Sequence, residues 1–369
     1  MDAKTNSPTE PRAKKVCRIL WRLVLILVIA PALGSIIIWS SLAITFAGAP
    51  GQNIRWAFGS SFAIAFFAAF FCFPKRILTA ACLLAAFGAV LYWWTGLKPS
   101  HDRQWSQLTA VLPEVTINGD SATVRNIRNF EYKAADDFTI AYYDKTFDLN
   151  KLTSLDLIFS YWDGGRHTAH SMLSFGFEDK DYLCISVEAR AEKGEEYSGI
   201  AGLFRKYELI YVLGDEEDLL GSRVGVRREQ VYLYPTNTEK ADIRKLFEQI
   251  VARVNQIADA PEFYNTITDN CTTCLAHSGK SIVPPSSFDY RLLLNGYADS
   301  MAYENGWIKS NDSFDDTRKR HHANRYIIDG FDLAHFSRRI RPHVLPQPER
   351  PKDEPETQEA DDEPPVAEK

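Results

Sequence analysis

The residues best suited to chemistry lie in ITDNCTTCLAHSGK, residues 267–280, where Cys271 and Cys274 stand three apart and His277 follows. A pair at this spacing can form a redox disulfide, ligate a metal, pack inertly, or leave one thiol as a nucleophile. Asp269 or Asn270 can cap a helix that begins here, which sets Cys271 in the first turn. A thiol there feels the positive end of the helix dipole and unpaired N–H groups, and both favour the thiolate. The Cys271 N–H is also placed to stabilise an oxyanion. A thioredoxin-like redox site follows a βαβ pattern, which this stretch lacks. Zinc held by Cys271, Cys274 and His277 has no fourth ligand in the sequence, so no cofactor or metal is expected.

A nucleophilic thiol needs a base, and the segment HTAHSMLSFGFEDKDYLCISVEAR, residues 167–190, offers one. It reads as a hairpin turning at Glu178–Lys180. Matching apolar with apolar sets Phe177 opposite Asp181, Phe175 opposite Leu183, Leu173 opposite Ile185 and Ser171 opposite Val187. The same register sets Met172 opposite Ser186 and His170 opposite Glu188. A carboxylate on an imidazole fixes its tautomer and stabilises its charged form. The pair is expected on the side of the sheet that holds Cys271. His167, three residues before His170, reads as a loop residue.

These residues belong to a mixed α/β region, 99–345. LDLIFSYW, SMLSFGF, YLCISVEAR, YELIYVL and VYLYP read as strands, and VTINGDSATV as a hairpin around Asn118-Gly119. From Ala241 to Ile257, apolar residues at helical spacing predict a helix with one buried face, and Thr238 is its expected cap. Residues 346–369 are rich in proline and acid and are expected to be disordered.

Ahead of this region, residues 19–97 contain three apolar runs: Ile19–Phe46, Trp56–Phe73 and Ile77–Leu97. A helix of about 20 residues crosses a hydrocarbon core, so three transmembrane helices are expected. Lys4, Arg12, Lys14, Lys15 and Arg18 precede the first run, and Lys75 and Arg76 separate the last two, so residues 1–18 are expected in the cytoplasm and the globular region across the membrane. Of six cysteines only Cys184, Cys271 and Cys274 lie in the globular region, and an odd count excludes a fully paired disulfide scaffold. A net charge of −6 and the lack of any recognition motif argue against a nucleic-acid partner.

The segments VRNIRNFEY, FDLNKLTSLDLIFSYW, HSMLSFGFEDKDYLCISVEAR, EEYSGIAGLFRKYELIYVLGDEEDLLGSR, VYLYP and PEFYNTITDNCTTCL, within roughly residues 105–300, resemble the Lnb N-terminal periplasmic domain family. The resemblance implies a circularly permuted papain-like (NlpC-type) α+β fold, with the histidine strand first and the cysteine helix last. It implies Cys271 as nucleophile, His170 as acid and base, and Glu188 as the group that orients His170. It further implies a thiol acyltransferase at a bacterial inner membrane, taking an acyl chain from phospholipid and passing it to a lipoprotein N-terminus. Tyr161 and Asn270 are weaker candidates for substrate or oxyanion contact. The rival readings are a cysteine peptidase or amidase acting on cell-wall peptides, and a non-catalytic docking domain.

Overall fold

A computed structural model describes residues 12–47, 52–162, 165–178, 180–280, 282, 289–326 and 336–341. The expected disorder of 346–369, the end of the globular region past 341 and the first eleven residues all lie outside these.

The chain begins with α1 (Arg12–Val24), which runs through a π-helical turn at Leu25–Ile29 into α2 (Ala30–Ala47), followed by α3 (Gln52–Cys72) and α4 (Arg76–Thr95). They provide three helical stretches long and apolar enough to cross a membrane, Val16–Ala47, Ile54–Cys72 and Arg76–Thr95. Small residues let α2 and α3 approach closely. The Ser41 hydroxyl donates to Gly59 O at 2.7 Å, and a Cβ on Gly59 would overlap Thr45.

The globular region is α+β. Its strands are β1 (Glu114–Asn118), β2 (Ser121–Arg128), β3 (Glu131–Tyr132), β4 (Phe138–Thr139), β5 (Tyr142–Asp148), β6 (Leu152–Tyr161), β7 (His170–Phe177), β8 (Asp181–Arg190), β9 (Glu208–Gly214) and β10 (Gln230–Pro235). The main sheet runs β1-β2-β9-β8-β7-β6-β10, with β5 also on β2 and a separate β3–β4 hairpin. The β2–β9 contact is parallel and the others antiparallel, so the sheet is mixed.

Two layers cover this sheet. On one face lie α5 (Lys240–Asp259) and α6 (Cys271–Gly279), over a core that includes Leu173, Phe175, Ile185 and Leu209. The predicted apolar stripe of α5, from Ile243 to Ile257, is buried, and each such side chain contributes about 1.5–3 kcal/mol. Its expected cap is corrected: Glu239, not Thr238, is the N-cap residue, and it makes no side-chain cap bond. On the other face a π-helical segment, Glu217–Val226, crosses from β9 to β10 over Met172, Cys184 and Val212. Arg341 is buried, and its guanidinium is bonded to Asp156 and Glu216. That pairing fixes the last described segment to the sheet and gives the buried guanidinium two carboxylate partners.

Candidate active site

The β7–β8 register is the one the hydrophobic pattern predicts: Phe177 pairs with Asp181, Phe175 with Leu183, Leu173 with Ile185 and Met172 with Ser186. Two residues past the last paired residues, His170 Nε2 lies 3.1 Å from Glu188 Oε1. Ser186 joins them. Its hydroxyl donates to Glu188 at 2.6 Å, and its oxygen lies 2.6 Å from His170 Nε2. Because that hydroxyl proton is directed to Glu188, Nε2 must carry the proton it shares with Ser186. Nδ1 is left as the ring nitrogen that can serve the thiol. Arg223 donates to Glu188 at 3.1 Å and to Glu229 at 3.0 Å, and Ser160 also donates to Glu229.

Side-chain alternation corrects one expectation. His170 and Glu188 share parity with Met172 and Ser186, whose face is covered by the π-helical crossing, while α6 packs on the opposite face. The two sides meet only at the end of the sheet where β7 begins. There the imidazole of the strand's first residue comes near enough to Cys271 for the charge of each to act on the other.

Local sequence fixes the other half. Asn270 Oδ1 accepts the Thr273 N–H at 2.9 Å, and the Thr273 hydroxyl accepts the Asn270 N–H at 2.9 Å. This reciprocal capping box is worth about 1 kcal/mol and sets Cys271 as the first helical residue. Asn270 Nδ2 donates to Thr266 O at 2.8 Å, so this side chain acts as the cap. The Cys271 side chain is 5% exposed, with the Ser171 N–H 3.5 Å from Sγ. The Thr272 hydroxyl is 2.8 Å from that of Ser171, tying α6 to β7.

Asn295, which no sequence pattern marks, completes the pocket. Its Nδ2 donates toward Cys271 Sγ at 3.7 Å, while its Oδ1 accepts the Ala169 N–H at 3.0 Å. Gly296 makes this approach possible: a Cβ there would lie 2.2 Å from Arg166 O. Tyr161 stands apart. Its hydroxyl donates to Gly296 O at 3.0 Å, and its ring lies under Arg318. His167 is a loop residue, 3.0 Å from the Tyr297 hydroxyl.

The electrostatics follow from these contacts. Burial acts most strongly on His170 and pulls its pKa down, but the charges of Glu188 and Cys271 together outweigh it, and the imidazole is raised to about 9. Glu188 is half-buried, which raises its pKa, yet His170 and Arg223 hold it well below the usual carboxylate range. For Cys271, burial pushes the thiol up, while the His170 charge, its hydrogen bond and the Ser171 N–H bring it below its ordinary value. Such an ion pair is poised for nucleophilic attack. Cys274 has no comparable partner, and burial followed by the Asp269 charge pushes it up to about 12. All six cysteines are free thiols. Among the described residues, no three His, Cys, Asp or Glu side chains group as metal ligands.

An α+β domain preceded by three apolar helices, with a cysteine, a histidine and a carboxylate at one sheet end, defines a class of membrane protein with a thiol-bearing site. Residues 139–296 match the Lnb N-terminal periplasmic domain family, and this part of the chain belongs to it. The match takes in His170, Glu188, Cys271 and Asn295, but begins after β2, so VRNIRNFEY lies outside it. No curated protein and no solved structure matches the chain. Family and helices together make this a membrane protein with a periplasmic domain.

Proposed function

We propose that the chain is a multi-pass inner-membrane protein whose periplasmic domain is a circularly permuted papain-like thiol acyltransferase. The observation that carries this reading is the Cys271–His170 pair, with His170 held by Ser186 and Glu188. The thiolate attacks an ester carbonyl of a phospholipid, forming a C–S bond. The C–O bond breaks, the imidazolium gives its proton to the departing oxygen, and a lyso-lipid leaves a thioester on Cys271. The free α-amine of a lipoprotein's terminal residue then attacks the thioester. Its proton passes to His170, an amide forms, and the thiolate is restored.

The residues divide this work. Glu188 and Ser186 keep Nε2 protonated and the ring aligned, which serves both half-reactions. The Cys271 N–H at the start of α6 and the Asn295 amide supply donors for the developing oxyanion. The three helices support the reading, because donor and acceptor both reside in a bilayer.

The test is the intact mass of the full-length protein after incubation with phospholipid bilayers. A fatty-acyl adduct that hydroxylamine removes, and that Cys271→Ala abolishes, is the expected result. No adduct on a thiol that still alkylates fast at neutral pH would favour peptide or amide hydrolysis instead. No adduct on a sluggish thiol would remove the catalytic reading altogether.

A further inference from the structure

The direction of the strands fixes which end of the domain meets the membrane. The end of β7 and the start of β8 lie at one end of the sheet, while His170, the end of β8 and the start of β9 lie at the other. The second end is tied to the membrane helices. The Ser100 N–H donates to Glu208 at 3.2 Å, Arg103 pairs with Glu208 at 2.8 Å, and Trp105 bridges to Glu192. Arg205 donates to the carbonyls of Trp94, Thr95 and Leu97 at 3.0–3.3 Å, with its guanidinium 4.2 Å from the Trp94 ring centroid. Phe204 packs with Trp39 and Phe46 of α2.

The same β8–β9 loop and the loop that leads to Cys271 carry exposed apolar side chains. Tyr197 is 51% exposed and Ile200 56%, and Ile267, on the loop before α6, is 49% exposed. The Thr266 hydroxyl joins the two loops by donating to Gly199 O at 2.6 Å. A Cβ on Gly202 would lie 2.3 Å from that hydroxyl, so only glycine permits this approach. Tyr264 bonds Tyr197 through their hydroxyls at 3.2 Å and shares an apolar cluster with Cys271.

Short distances place this rim at the bilayer. Ile200 is separated from Arg205, whose guanidinium holds the end of α4, by a 3₁₀ turn, Ala201–Phe204, which rises about 2 Å per residue, so it lies within about 10 Å of the Arg205 backbone. The headgroup zone on each side of a bilayer is about 5–7 Å deep.

We propose that Tyr197, Ile200 and Ile267 insert into the leaflet on the domain's side, so that Cys271 meets a glycerolipid ester in the membrane without extracting the lipid. The insertion stands on the geometry alone, and the identity of the ester rests on the acyl-transfer reading.

The test uses the full chain in phospholipid nanodiscs, with photoreactive benzoylphenylalanine at position 200, 267 or 180. Position 180 lies at the far end of β8, about 30 Å away at 3.3 Å per residue. Lipid adducts at 200 and 267 at least tenfold above those at 180 are expected. Ile200→Asp combined with Ile267→Asp should lower acyl loading of Cys271 from the bilayer at least tenfold, with iodoacetamide alkylation of Cys271 within twofold of the parent. Equal lipid labelling at all three positions overturns the proposal, as do adducts with a second copy of the chain in place of lipid. Should the double variant misfold, the labelling alone decides. Lipid adducts at 200 and 267 in a protein that never acquires an acyl group would sink the acyl-transfer reading and leave the inserted rim standing.

Discussion

Cys271 and Cys274 sit one turn apart on the same short helix, both about 5% exposed, yet their thiols are driven in opposite directions. Burial raises both. What separates them is the neighbour on offer. Cys271 stands at the helix start, beside a charged imidazole and the N–H of Ser171. Cys274 has already entered the helix, where its N–H is bonded to Asn270 O, and it faces the charge of Asp269. Spacing in a C-x-x-C motif therefore says little about shared function. Position relative to the helix start and to a cation decides which sulfur is ionised.

The sharpest way to break this comparison is to remove each sulfur in turn. Cys271→Ala should abolish the acyl adduct and the fast alkylation, whereas Cys274→Ala should change the loading rate less than threefold, about 0.6 kcal/mol or less. A loss of about a hundredfold in Cys274→Ala would show that the two thiols work together. Next in size is His170→Ala. It should slow acyl loading by about 10³-fold, as expected for loss of a positioned acid–base group. The pH at which Cys271 becomes alkylated should also rise, because burial would then be opposed only by the Ser171 N–H and the Thr272 hydroxyl.

Glu188→Gln should have a smaller effect, about 10²-fold at pH 8. With Glu188 present, His170 keeps its proton up to about pH 9, and loading should fall as the pH rises through that value. Without that charge, burial lowers the imidazole pKa, so the alkaline fall should move to lower pH. A pH–rate profile of both proteins reads the shift directly. Asn295→Ala should cost about tenfold in acyl loading with little change in the alkylation profile, since a 3.7 Å donor can tighten onto a developing oxyanion. The smallest effect belongs to the helix start itself. Asn270→Ala should lower the melting temperature of the domain by about 2–4 °C, corresponding to a cap worth about 1 kcal/mol.

Much of this arrangement was legible in the sequence because strands alternate with a period of two residues. Phe175, Leu183, Leu173 and Ile185 permit one register, and that register carries His170 to Glu188 without any knowledge of the site. The Asn270 cap was legible for a similar reason, since the cap residue lies next to the helix it starts. The face on which Cys271 lies was not. Parity within a hairpin says which residues share a face, but not which face a later helix will cover. Asn295 was illegible because it lies 24 residues after Cys271 and reaches the thiol from a 3₁₀ turn that has no apolar period. Ser186 could have been found: it shares a strand face with Glu188 two residues away, and its hydroxyl suits a bridge to the imidazole.

The grip of Arg205 on the carbonyls at the end of α4 has a kinetic consequence. A domain held at that level searches an area and not a volume. Its donor concentration is then the mole fraction of that lipid in its own leaflet. Diluting the donor with an ether-linked lipid in the same bilayer should slow loading in proportion. Adding more vesicles of unchanged composition should leave the rate as it was.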